Sequence, residues 1–229
     1  MRHNIEFHFD IYHKMPRLFN MTDDNFKKFV FGKLSKIDDR YFMPMAFKEN
    51  DDVESEPILI QMNKAHTLGN LVSEDGLVKN FDFSVNSKTK DILSDFDDQI
   101  LAITKDHSEE WFPGKSEQLT PSFFDNAILN SYKTMKNKKT FKFSARTTRN
   151  INVFNSQHEE LEPSDVTEDS NVNAIVQAYG IWFTKTRFGI TWRIHQIKVN
   201  TPKKPTTECL FEDDDNEDLE NVFPDGEIP

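Results

Sequence analysis

The stretch Tyr179-Gly180-Ile181-Trp182-Phe183-Thr184-Lys185-Thr186-Arg187-Phe188-Gly189-Ile190-Thr191-Trp192-Arg193-Ile194-His195-Gln196-Ile197-Lys198-Val199 decides the fold. Two strand-like runs, Val172–Thr184 and Phe188–Val199, flank a short turn at Lys185-Thr186-Arg187, which predicts a hairpin. In the second run Phe188, Ile190, Trp192 and Ile194 share one face, so Trp192 belongs to the core. Thr191, Arg193 and His195 share the other. Ile197 and Val199 then continue the Arg193 face, so the parity flips and a bulge or a turn of a barrel is expected near Gln196. In the first run Trp182 opposes Tyr179, Ile181 and Phe183, and one of these two sets faces outward. The sequence does not choose between them.

Working outward, further strands precede the hairpin. Ile5, Phe7, Phe9 and Ile11 alternate with polar residues, as do Phe81, Phe83 and Val85. Phe29–Phe31, Tyr41–Phe47, Ile58–Met62, Thr140–Arg146 and Ile151–Phe154 are strand-like. Between them Ile92, Phe96, Ile100 and Ile103 recur at helical spacing, widened by Leu93 and Leu101, with Asp95, Asp97, Asp98 and Lys105 facing away. Asn86 or Ser87 suits the N-cap of this helix, and Thr120-Pro121 opens a second helix carrying Phe123, Phe124, Ile128 and Leu129. Strands on both sides of a helical insertion predict a mainly β fold, an OB-fold-like antiparallel β-barrel. The expected organisation is one domain over residues 1–205, with the insertion at about 87–132, and a disordered acidic tail over 206–229.

Charge is distributed unevenly. The chain carries a formal −11, which by itself argues against a polyanion ligand. From Glu208 onward, however, every charged residue is acidic, and residues 1–207 hold 28 basic and 29 acidic groups. Ser170–Thr207 contains Lys185, Arg187, Arg193, Lys198, Lys203 and Lys204 and no acid. A second acid-free stretch, Ser131–Asn150, contains Lys133, Lys136, Lys138, Lys139, Lys142, Arg146 and Arg149. Such runs suit a nucleic-acid backbone, because each phosphate neutralised by Lys or Arg releases condensed counterion. A solvated charged face beside core phenylalanines is the plainer reading of the same residues. With 21 phenylalanines in the chain, aromatics left outside the core would stack on unpaired bases. The candidates are Tyr179, Trp182 and Phe183.

The pattern Gly180–Phe183, turn, Phe188–Val199 resembles the closing hairpin of single-stranded-DNA-binding proteins of large eukaryotic DNA viruses. Phe31-Gly32-Lys33-Leu34, Tyr41-Phe42-Met43-Pro44 and Pro57-Ile58-Leu59-Ile60-Gln61 resemble that group's earlier strands, in order, so the resemblance spans most of residues 26–199. It implies an oligonucleotide-binding barrel and a non-enzymatic, largely sequence-independent binder of single-stranded DNA in viral replication, recombination or repair. RNA stays open as a ligand, since stacking and phosphate contacts do not separate the two sugars. The expected phosphate contacts are Lys139, Lys142, Arg146, Arg149, Lys185, Arg187 and Arg193. The tail would compete for the groove and recruit replication or recombination proteins through Phe211, Asp213, Asp214, Asp215 and Phe223. It lacks the terminal phenylalanine of analogous phage and bacterial tails, a place Phe211 and Phe223 could fill.

Other chemistry finds little footing. The chain has one cysteine, Cys209, so no intrachain disulfide forms, and no signal peptide or membrane-spanning run is expected. An intracellular protein is expected, in the host cytoplasm at a viral replication site or in the nucleus. His3, His8 and His13 lie five apart, which suits neither helical nor strand ligand geometry, and no cofactor or metal is expected. No phosphate-binding glycine loop or nucleophile elbow occurs. A virion or scaffold module that binds another protein is the alternative, with a metal-dependent nuclease behind it; homo-oligomerisation is left open.

Overall fold

The computed structural model describes Leu18 and residues 23–112, 119–136, 139–148 and 151–200. The expected strand at Ile5–Ile11 lies outside these residues. In chain order the elements are α1 (Asp23–Phe26), β1 (Phe29–Phe31), β2 (Ser35–Ile37), β3 (Arg40–Phe47), β4 (Ile58–Thr67), β5 (Val72–Ser73), β6 (Gly76–Leu77) and β7 (Asn80–Val85). The helical stretch follows: α2 (Ser87–Asp106), α3 (Ser108–Trp111) and α4 (Pro121–Ala127). Then come β8 (Tyr132–Thr134), β9 (Phe141–Arg146), β10 (Asn152–Phe154), β11 (Glu160–Leu161), β12 (Asn171–Phe183) and β13 (Phe188–Val199).

The long hairpin forms as its alternation predicts, and β12 is its hub. β12 pairs with β13 along one edge; along the other it pairs with β4 and then with β3. From β4 the pairing continues to β7, from β7 to β9, and from β9 back to β13. Five strands therefore make a ring in the order β4–β7–β9–β13–β12, the barrel plan expected, with the helices between its second and third strands. One expectation changes: the sheet is mixed. β13 runs parallel to β9 and to β10, while the other ring ladders are antiparallel. The β9–β13 joint is a single pair, Arg146–Arg193, because β8 occupies the first half of that edge of β9.

The ring's interior follows from period-two placement. Val172, Ala174, Val176, Ala178, Ile181 and Phe183 point in from β12, and Phe188, Ile190, Trp192, Ile194 and Ile197 from β13. Ile58, Ile60, Met62 and Ala65 from β4, Phe81, Phe83 and Val85 from β7, and Phe143 and Ala145 from β9 complete the layer. Each large apolar side chain removed from water stabilises by roughly 1.5–3 kcal/mol before the entropy of ordering it. Helix α2 starts where Asn86 accepts a hydrogen bond from the Thr89 N–H at 3.0 Å. Its buried stripe of Leu93, Phe96 and Ile100 packs onto the ring, with Phe96 edge-on to Trp192 at 5.2 Å between centroids.

Asp97 corrects the sequence reading. It faces inward, only 4% exposed, instead of sharing the solvated side of α2 with Asp95 and Asp98. Ser131 meets it with two donors, the backbone N–H at 2.7 Å and Oγ at 2.6 Å. The same Oγ accepts from the Trp192 indole N–H at 2.8 Å. Burial pushes the Asp97 carboxyl up to about 6, against the pull of the Ser131 hydrogen bonds.

Candidate nucleic-acid interface

Ladder partners on adjacent strands share a face, so the outer surface of the hairpin can be read in rows. The row nearest the turn is Gly189, Trp182, Phe42 and Ser35. Next come Thr191, Gly180 and Pro44. The third row is Arg146, Arg193, Gln177 and Leu59. Beyond it lie Asn152, Gln196, Ile175 and Gln61, and then Phe154, Lys198 and Asn173.

Two bulges in the β12–β13 ladder keep this face in register across the hairpin. On β13 the extra residue is His195, since Ile175 pairs with Gln196 and Val176 with Ile194. This is the parity flip expected near Gln196. On β12 the extra residue is Tyr179, between the pairs Ala178–Trp192 and Gly180–Thr191. That second bulge resolves the choice between aromatic sets in a way neither alternative anticipated. Tyr179 and Trp182 are both half-buried on the outer side, whereas Ile181 and Phe183 are core. Phe183 is therefore corrected: at 5% exposure, against Phe112 at 5.1 Å and Phe188 at 5.8 Å, it cannot stack on a base.

Around Tyr179 a layered group assembles. Its ring stacks on Phe42, with centroids 5.3 Å apart and planes 18° from parallel. The Arg193 guanidinium lies over the Tyr179 ring, 3.1 Å from its centroid. Such cation–π contacts contribute about 0.5–2 kcal/mol, more as water is excluded. Gly180 makes the approach of β3 feasible, because a Cβ there would lie 2.4 Å from the Met43 carbonyl oxygen and 2.5 Å from the Phe42 ring. Trp182 lies over Gly189, where a Cβ would sit 3.3 Å from the indole.

Arg146 stands beside Arg193 in the single β9–β13 pair. Burial holds the Arg193 guanidinium below its ordinary range and Arg146 pushes the same way, while Tyr179 opposes both. Among the described residues no carboxylate pairs with either arginine. On the far side of Arg146 opens a cleft of about 480 Å³ lined by Leu77, Lys79, Asn80, Arg146, Thr147 and Thr148. Two like charges held together, one of them desolvated, make a site for an anion.

The remaining expected residues fall in different places. Lys185 and Arg187 are exposed on the turn, which is tied by the Thr184 N–H donating to the Arg187 carbonyl at 2.7 Å. Lys142 is already answered: Asp82 on β7 pairs with it at 2.6 Å and also accepts from Ser144 Oγ. Lys139 is exposed in the β8–β9 turn, at the opposite end of β9 from Arg146. Arg149 and the tail residues Phe211, Asp213, Asp214, Asp215 and Phe223 lie outside the described residues. Sequence reasoning missed Phe42 and Lys79. The signal for Phe42 was its alternation with Met43, which is buried. Among the described residues no group of three or more His, Cys, Asp or Glu side chains is placed to hold a metal, and no helix is long and apolar enough to cross a membrane.

The fold and the site define a mainly β, ring-forming protein with a cationic and aromatic outer face. The chain belongs to DUF5871, a family of unknown function, whose model matches residues 70–213. No curated protein matches it. Among solved structures it is similar to the single-stranded DNA-binding protein from bacteriophage Enc34, at 14% identity and a TM-score of 0.41, over 80% of this chain and 96% of that one. The same phage protein in complex with ssDNA gives 16% identity and 0.42, over 76% and 98%. Gp2.5, a single-stranded DNA-binding protein encoded by bacteriophage T7, gives 10% and 0.43, over 68% and 98%. All three TM-scores lie below 0.5.

Proposed function

We propose that this chain is a non-enzymatic binder of single-stranded DNA that acts inside the infected cell in viral DNA replication, recombination or repair. One observation carries the reading: Arg146 and Arg193 stand together with no acid paired to them among the described residues, and Arg193 is layered on Tyr179, which stacks on Phe42. The guanidiniums suit phosphate oxygens, which they can meet bidentately. Trp182, half-buried on the same face, offers a plane to an unpaired base, which every base can use regardless of sequence. Lys79 on one side and Lys185 and Arg187 at the turn extend the positive track. The tail competes for this track when DNA is absent and recruits protein partners when DNA displaces it.

Fluorescence anisotropy with single-stranded DNA, duplex and RNA of equal length, across a salt series, tests the reading. Single strands should bind tightest, with affinity falling in log–log form by about 0.7 per neutralised phosphate. Truncation after residue 205 should tighten binding and weaken discrimination against duplex. Salt-insensitive association with no affinity for oligonucleotides would replace this reading with a protein-interaction module.

A further inference from the structure

The outer face does not stop at the arginine row. Two rows further on, a smaller cleft of about 180 Å³ opens on the outside of β4, β12, β13 and β10, lined among others by Gln61, Phe154, His158, Asn173, Gln196 and Lys198. Its size is below the roughly 300–1,000 Å³ of small-molecule pockets, so it suits one planar ring better than a whole ligand. The β10–β11 connection walls it: Asn155 Oδ1 accepts from the Gln157 and Glu159 N–H groups, and His158 takes a φ of +67°. Phe154, half-buried, lines its edge.

The polar groups here are unequally committed. Gln61 spends its Nε2 on Asn63 Oδ1 at 2.5 Å, which leaves its carbonyl oxygen to accept. Asn173 spends its Oδ1 on the Lys64 N–H at 3.0 Å and the Asn200 amide at 3.2 Å, which leaves its Nδ2 to donate. The half-buried Gln196 carboxamide and the Lys198 ammonium have no partner among the described residues. Arg193 precedes Gln196 by about 10 Å of strand, so a phosphate on the arginine pair brings the neighbouring base within reach.

We propose, building on the single-strand reading, that this cleft takes one unstacked base and selects for a keto base, thymine or guanine, by its edge. Such an edge sets a carbonyl acceptor beside a ring N–H donor. Lys198 and Asn173 Nδ2 supply donors to the carbonyl, and the Gln196 or Gln61 oxygen accepts from the N–H. An amino base, cytosine or adenine, turns an NH₂ donor toward Lys198, which has only donors to offer. The face then combines a sequence-tolerant stacking end with a base-selective end.

Anisotropy titrations with oligo-dT and oligo-dC of equal length, two pyrimidines of the same size, test this. The wild type should favour dT by roughly tenfold, the scale of one well-placed edge contact. Gln196→Ala should bring the dT-to-dC ratio to about one, with a thermal melt to establish that the variant is folded. Lys198→Met, which keeps the aliphatic stem, should weaken dT more than dC. Equal binding of dT and dC by the wild type, or a ratio untouched in both variants, overturns the selective cleft while the single-strand reading stands. Failure of every oligonucleotide to bind at low salt overturns both.

Discussion

Lys142 and Arg193 are cations on neighbouring ring strands, drawn from the two acid-free stretches of the sequence, and they end in opposite situations. Lys142 meets Asp82 across the β7–β9 ladder at 2.6 Å, in a partly exposed pair of the kind that contributes about 0–1 kcal/mol. Arg193 has Arg146 beside it, Tyr179 beneath it and, among the described residues, no acid paired to it. A run of basic residues is thus a poor measure of available charge. What decides availability is the partner that the fold brings from elsewhere in the chain.

The largest test of that contrast is the double variant Arg146→Ala/Arg193→Ala. Charge-assisted hydrogen bonds contribute about 1.5–3 kcal/mol each, so single-strand affinity should drop by two to four orders of magnitude. The salt slope should become shallower by about 1.4, at 0.7 per lost phosphate contact. Phe183→Ala and Tyr179→Ala divide the aromatics in the same way. The first should cost about 3–5 kcal/mol of folding stability, read by denaturant titration, because Phe183 fills the ring's interior. The second removes the ring on which Arg193 is layered, so it should weaken binding by about 0.5–2 kcal/mol, with a much smaller effect on the melt.

Turned inward, the contrast extends to Asp97, a buried acid where the outer face keeps unpaired cations. Its folded pKa of about 6 lies above the ordinary 3.8, so the fold favours the neutral form. That contribution is complete below about pH 3.8 and is lost as pH rises through about 6, at a cost of about 3 kcal/mol once the group is ionised. Asp97→Asn stays neutral, its carboxamide oxygen accepting from the Ser131 N–H while its Nδ2 turns the other contact round by donating to Ser131 Oγ, so its melting temperature should not share the wild type's fall between those pH values. A parallel fall in both would remove Asp97 as the source. The smallest effect is expected from Lys142→Ala, a change in single-strand affinity of less than about 1 kcal/mol. A large loss there would break the contrast.

Much of this fold was legible in the alternation of β12 and β13, including the bulge that proves to be His195. The bulge at Tyr179 was not, because a parity change inside a strand rich in apolar residues on both faces leaves no mark in the pattern. Gly180 is the available sign, since only a residue without a Cβ lets the Phe42 ring lie there. The polar half of β4, Asn63–Thr67, was missed for a related reason: Lys64, at a φ of +55°, interrupts the alternation. The Glu74-Asp75 turn of the β5–β6 hairpin closes on Gly76, at a φ of +101°, which is the glycine signal that the sequence carried for it. The pairing of Lys142 with Asp82 and the parallel joint at Arg146 depend on contacts between distant segments, and local sequence does not encode these.

That joint has a mechanical consequence. With β8 lying along β9, the ring is fastened between β9 and β13 by one pair, and the two residues of that pair are the arginines. An anionic strand laid across both would act as a suture over the thinnest seam in the wall, so gripping the ligand and tightening the ring become one event. Amide exchange near residues 146 and 193 would then slow on binding, and the protein would be at its stiffest when loaded.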